Sequence, residues 1–357
     1  MEQEITHNTK NEAEPPSIED LEKSTNPIYR DFFANNDLVK KWAEDRKLFK
    51  TIWINKLSDN SFCLKKENVY KKEIPDILIE RFGIKDKDVF LQKYHEAIAG
   101  DGQEWKRITT LHSSSLLALL CFYSVSKQNP IVINGYTFTE SYFEVKTQVY
   151  EDSESNMDVV LRGTKGSEKV VLFLESKFSE YLNCGKYDEI SYEAYHETYE
   201  SLKLFENQLE GLVTEVTEKK NKDNKTSKQV ICIRPSNPRK VPMYCGGIKQ
   251  MISHYIGVRN YQQKGENALD HCRFKYDAEE HIMLGEILFD FKNSQRCHAK
   301  DKLTNYQAAY ECLAQRVNKQ NKIEMFEKLL TYQELFENNK DYFKQLAPNI
   351  KKFYGLQ

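Results

Sequence analysis

At 357 residues, 39% of them hydrophobic and 30% charged, with only 9 Pro and 14 Gly, the chain can bury a substantial core, which excludes a disordered or fibrous protein. Its formal charge of −2 selects no partner by itself, because attraction depends on where the charges sit. No apolar run approaches the ~20 residues of a membrane-spanning helix, and the acidic start MEQEITHNTKNEAEPP lacks the pattern of a secretory signal, so a cytoplasmic protein with no membrane partner is expected.

Taken in chain order, residues 1–26 read as a disordered tail and 27–104 as an accessory helical region, as in NDLVKKWAEDRKLFKTIW. Within 105–125, HSSSLLALLCFYSV is apolar all round, which predicts a helix buried against a sheet. Three strands follow at 142–150, 158–162 and 169–178, rich in Val, Phe, Leu and Tyr and separated by polar turns. Residues 183–245 read as an insertion: an acidic, Tyr-bearing helix at 189–212, a basic loop, and the short apolar run VICI. Ile248, Met251, Ile252, Tyr255 and Ile256 then form the stripe of an amphipathic helix. HIMLGEILFDF, 281–291, is the final predicted strand, and from 292 to 357 the chain forms a C-terminal helical region. The predicted core, 105–291, is thus an α/β fold in the order helix, three strands, helix, strand: a mixed sheet flanked by helices, with helical additions at both ends.

The run VVLFLESK, 170–177, raises the chemical question, because a buried strand ends in a carboxylate and an ammonium. Residues two apart in a strand share a face, so Glu175 and Lys177 project together and Ser176 points away. Only GTKGSE separates this strand from the one before it, which predicts an antiparallel hairpin. Pairing Arg162 near Lys169 sets Asp158 across from about Phe173, within two residues of register, and makes Glu175 its near neighbour. Two carboxylates held close repel unless one binds a proton or a cation lies between them. Mg2+, with Mn2+ as a substitute, suits such oxygen ligands. It lowers the pKa of a bound water and stabilises charge on a phosphodiester under attack, while a nearby ammonium orients or helps deprotonate that water. Asp158 and Glu175 are therefore the expected metal ligands and Lys177 their catalytic companion. Neither Glu175 nor Lys177, at a strand terminus, is expected to carry much of the core. The bland alternative is an exposed ion pair beyond the buried part, since Glu-x-Lys alone is common.

In MDVVL, with Asp158, and LESK, with Glu175 and Lys177, the chain resembles the PD-(D/E)XK nuclease superfamily, which has a restriction-endonuclease-like fold. The resemblance covers about 105–180 and 244–291, and LHSSSLLALLCFYS and TYQELF are similar to a bacterial restriction-endonuclease-like group. Met157 stands where the motif has Pro, at a position that varies in the superfamily. The resemblance implies a metal-dependent endonuclease acting on DNA, of restriction or defence type. A repair or recombination nuclease of the same fold, or an inactive nucleic-acid-binding module derived from it, are the alternatives. It further implies an additional acid, for which Glu144 and Glu104 compete, and a polar residue on the helix after the motif, Gln250, with His254 four residues on. Cutting both strands of a duplex would suit a homodimer.

Two further features concern partners. From 219 to 240 there are eight Lys or Arg against one acid, Asp223, a local +7. Of these, Lys219, Lys220, Lys222, Lys225, Lys228, Arg239 and Lys240 are expected to contact DNA phosphates rather than solvent alone. The eight cysteines contain no CxxC pair and are expected as free thiols. His271, Cys272, Cys297 and His298 could supply four zinc ligands, but adjacent pairs lack ordinary finger spacing.

Overall fold

In a computed structural model, the described residues are 74–99, 108, 113–182, 187–220, 227–237, 243–268, 274–291, 299–320, 322–346 and 348–356, with two short strands at 55–56 and 62–63. The expected tail, Glu104, and the zinc-ligand candidates His271, Cys272, Cys297 and His298 lie outside them, as do Lys222, Lys225, Arg239 and Lys240.

The first strands, β1 (Asn55–Lys56) and β2 (Phe62–Cys63), pair with each other. Helices α1 (Ile74–Phe82) and α2 (Lys87–Ala97) precede α3 (Ser114–Phe122). Ser113 caps α3, its hydroxyl accepting from the Leu116 amide at 3.0 Å, and every residue from Leu116 to Phe122 is buried. Each such Leu contributes roughly 1.5–3 kcal/mol by leaving water.

The sheet is mixed. It runs β11 (Glu324–Met325), β10 (His281–Leu288), β6 (Glu168–Lys177), β5 (Ser153–Lys165), β4 (Tyr136–Tyr150), β3 (Ile131–Ile133), and β12 (Leu330–Thr331) also pairs with β10. β4, β5 and β6 are antiparallel neighbours, whereas β10 lies parallel to β6, β11 and β12. The strand at 281–291 is therefore not the last: β11 and β12 extend the sheet beyond it. Strands of two residues leave no periodicity to read, so the sequence hid them behind the helical signal of TYQELF.

β6 is apolar without alternation because helices cover both of its faces. On one side Ser176 donates to the Ser114 carbonyl of α3 at 3.2 Å. On the other lies α5 (Cys245–Lys264), seated close because Gly257 has no side chain: a Cβ there would stand 2.1 Å from Thr147 Oγ1 of β4. Gly247 plays the same part against Tyr244 and Tyr306, in the first turn of α5.

The segment between β6 and α5 folds on its own three-stranded antiparallel sheet, β7 (Asp188–Ser191), β9 (Ser227–Pro235), β8 (Leu212–Lys220), with α4 (Tyr192–Ser201) after β7. Two expectations change here. The helix expected at 189–212 is only Tyr192–Ser201, because its first residues extend into β7 and pair with the VICI strand. The described parts of the basic loop are strand rather than loop, with Lys219 paired across from Lys228 and Lys220 across from Ser227. The C-terminal region comprises α6 (Ala299–Asn318), α7 (Tyr332–Asn338), α8 (Lys340–Gln345) and α9 (Pro348–Tyr354).

Candidate active site

Register decides what meets at the end of β6. Val159 pairs with Leu174, so Asp158 is level with Glu175, at the edge of the window expected from the sequence. The Ser176 amide donates to Asp158 Oδ2 at 2.8 Å, which ties the aspartate to the β6 backbone between Glu175 and Lys177. On β10, Glu286 is the parallel partner of Glu175 and Leu288 that of Lys177. On β4, Glu144 is level with Asp158, between the pairs Phe143–Val159 and Val145–Met157, and carries a left-handed backbone at φ 49°. That conformation costs a non-glycine residue of order 1–3 kcal/mol and concentrates at functional sites.

Glu175 and Lys177 project together toward α5, as strand geometry requires. Lys177 Nζ donates to Glu175 Oε1 at 2.5 Å and to Gln250 Oε1 at 2.7 Å, and Gln250 Nε2 donates to Glu175 Oε1 at 2.6 Å. One turn on, His254 Nε2 lies 2.9 Å from Glu175 Oε2, and His254 Nδ1 lies 2.5 Å from Ser155 Oγ. Ser176, on the opposite face, contacts the Tyr332 hydroxyl at 2.7 Å. Glu180 Oε2 accepts from the amides of Phe178 and Ser179 and turns the chain away just past the site.

The carboxylates are electrostatically unequal. Burial and the charge of Glu175 push Asp158 well above the usual carboxylate range, against the pull of Lys177 and the Ser176 amide. Burial also opposes ionisation of Glu175, but Lys177 and His254 outweigh it and lower this group to about 2. Burial opposes the charge on Lys177, yet Glu175, Tyr244, Glu180 and Asp158 together hold it well above its ordinary value. In the metal-free protein these neighbours favour the ammonium form. Glu286 is fully buried; desolvation raises it to about 8, while the Tyr306 hydroxyl donates to its Oε2 at 2.8 Å.

Asp158, Glu175, Lys177 and Gln250 thus come together. Glu144 is buried and level with Asp158, yet among the described residues no three His, Cys, Asp or Glu side chains are disposed as a metal cage. Two carboxylates still fit Mg2+, which takes one or two from a protein and keeps several waters. The upward push that Glu175 exerts on the Asp158 carboxyl marks a position where a divalent cation would relieve the same repulsion. Lys219, Lys220 and Lys228 stand on β8 and β9; Lys219 is paired with Glu189, and Arg234 with Glu215 at 3.0 Å, which reduces the local excess of positive charge. The root of that sheet does reach α5, through the ion pair of Asp188 with Lys249 at 2.8 Å. Glu286 was missed from sequence because a lone acid in an apolar strand gives no sign of its partner strand. A separate cleft of about 1020 Å³, lined by Asn134, Glu324 and Thr331 among others, includes none of these residues. Comparison of the chain with protein-family models, with curated proteins and with solved structures gives no match.

Proposed function

We propose that the chain is a divalent-metal-dependent endonuclease that hydrolyses DNA phosphodiester bonds on a restriction-endonuclease-like core, with Asp158 and Glu175 as the metal ligands. The observation that carries the reading is the convergence of an acid from β5 with an acid and an ammonium from the end of β6, the two carboxyls driven apart in proton affinity. When bound, the cation supplies a water of lowered pKa and a positive centre for phosphoryl oxygens. Glu175, held low by Lys177 and His254, would offer it an ionised carboxylate, and a cation between the two acids would offset the repulsion that raises Asp158. Lys177, kept as an ammonium, places positive charge where a phosphorane would develop negative charge. Gln250 bridges Lys177 and Glu175 and keeps the two in one orientation.

Asp158→Asn tests the ligand set. The amide oxygen still accepts from Ser176 but loses the charge, so calorimetric Mn2+ affinity should fall by more than the ~10–100-fold typical of removing an outer-shell partner, with no loss of metal-free melting temperature. Unchanged affinity would remove Asp158 from the metal site.

The basic strands test DNA as the substrate. Lys219 and Lys228 are directly opposed on β8 and β9, and Glu189 balances Lys219, so a phosphate contact would have to compete with that carboxylate. Changing both to Ala should flatten the log–log salt dependence of duplex binding by up to ~1.8, at about 0.9 per phosphate contact. Cleavage at saturating DNA should persist. A slope equal to that of the wild type would make the lysines solvated charges.

A further inference from the structure

The side chains of Glu175 are occupied unevenly. A carboxylate offers about four lone-pair directions, two on each oxygen. Oε1 takes donors from both Lys177, at 2.5 Å, and Gln250, at 2.6 Å, so that oxygen is filled. Among the described residues Oε2 has no hydrogen-bond donor: His254 Nε2 lies 2.9 Å away as a close polar contact rather than a hydrogen bond, and neither buried atom has a hydrogen-bond partner.

Ser155 orients the ring and favours one tautomer of it. Its hydroxyl, 2.5 Å from Nδ1, has one proton to give, and donating it there leaves the ring proton on Nε2. The opposite tautomer would set a nitrogen lone pair against a carboxylate oxygen at 2.9 Å in a site where His254 is 1% exposed, and burial makes such an opposition costly. Gln250 and His254 sit one turn apart on α5, which Gly257 seats against β4, so one rigid element reaches both oxygens of the same carboxylate.

We propose that His254, held by Ser155, is a positioning residue that covers one side of Glu175 Oε2 and thereby limits the directions from which a metal can reach that oxygen. The inference rests on the reading of Asp158 and Glu175 as metal ligands. His254 touches neither metal nor substrate; it holds the ligand that does.

The experiment is Mn2+ binding to the full chain by calorimetry and electron paramagnetic resonance, with metal-free melting recorded for each variant. His254→Leu should weaken Mn2+ binding by about 10–100-fold. His254→Gln, whose amide can donate to the same oxygen, should recover most of that loss, and Ser155→Ala should fall between. A purely structural role would lower the melting temperatures of the His254 variants and leave affinity unchanged, which overturns the proposal. Should His254→Leu fail to fold, wild-type affinity in Ser155→Ala overturns it equally. Nitrogen hyperfine coupling to Mn2+ in the wild type, lost in His254→Gln, would make His254 a ligand and also refute it. If the wild type binds no Mn2+, or Asp158→Asn binds as well as the wild type, the metal reading itself fails and takes this inference with it.

Discussion

Lys177→Ala and Glu175→Ala should each reduce metal-dependent DNA cleavage by at least about 10²–10³-fold, the loss expected when one preorganised charge is removed from a reacting centre. Both should also lose stability, contrary to what a strand terminus suggests. The two residues are 5% and 2% exposed under α5, and either substitution leaves the other charge buried without its 2.5 Å partner. Breaking a buried pair from one side costs about 3–5 kcal/mol. The double variant Glu175→Gln, Lys177→Met removes both charges and should recover much of that stability while remaining inactive. Plasmid nicking in Mg2+ and denaturant melts, run on all three proteins, separate the two effects. A single variant that cuts at the wild-type rate would sink the assignment of the site. A double variant no more stable than the singles would mean that the pair is not what the melts report.

In the metal-free protein, Glu286→Gln should remove a steep loss of stability with rising pH. The folded carboxyl is raised by burial from 4.5 to about 8, so between those values the folded chain keeps a proton that the unfolded chain has released. The folded state binds more protons, and stability must therefore fall as pH rises. The favourable contribution is complete below about 4.5 and gone above about 8, which at 1.36 kcal/mol per unit amounts to about 5 kcal/mol. Gln keeps an oxygen for the Tyr306 hydroxyl and carries no titrating proton. The expected gain is greatest at pH 8 and vanishes near pH 4. Glu175 acts with the opposite sign: lowered to about 2, it stabilises above 4.5 and its contribution disappears as pH falls toward 2. Melting curves from pH 2 to 9 check both, and an identical pH slope between pH 4.5 and 8 in wild type and Glu286→Gln would refute the assignment of Glu286 as a buried, protonated acid.

How much of this was legible in the sequence depended on the range of the interactions. Local patterns were enough for the buried helix around Leu116–Phe122, for β4, β5 and β6, and for the shared face of Glu175 and Lys177, because each follows from side-chain periodicity within a few residues. The short GTKGSE connection brought Asp158 within two residues of its observed level for the same reason. The basic segment misled because the alternation of its strands is weak and partly charged, so paired strands looked like a loop. Burial of the site was hidden as well: whether a strand end meets solvent or a helix depends on where residues 70 positions away return. Only the tertiary structure set Glu286 beside Glu175, since a parallel register is fixed by packing across a crossover of about a hundred residues and not by any turn. It alone turned Gln250 and His254 onto the two oxygens of one carboxylate, because a helix has several polar faces and the close approach allowed by Gly257 selects the one that meets the sheet. Sequence determined which residues could do the chemistry; the three-dimensional register determined which of them meet.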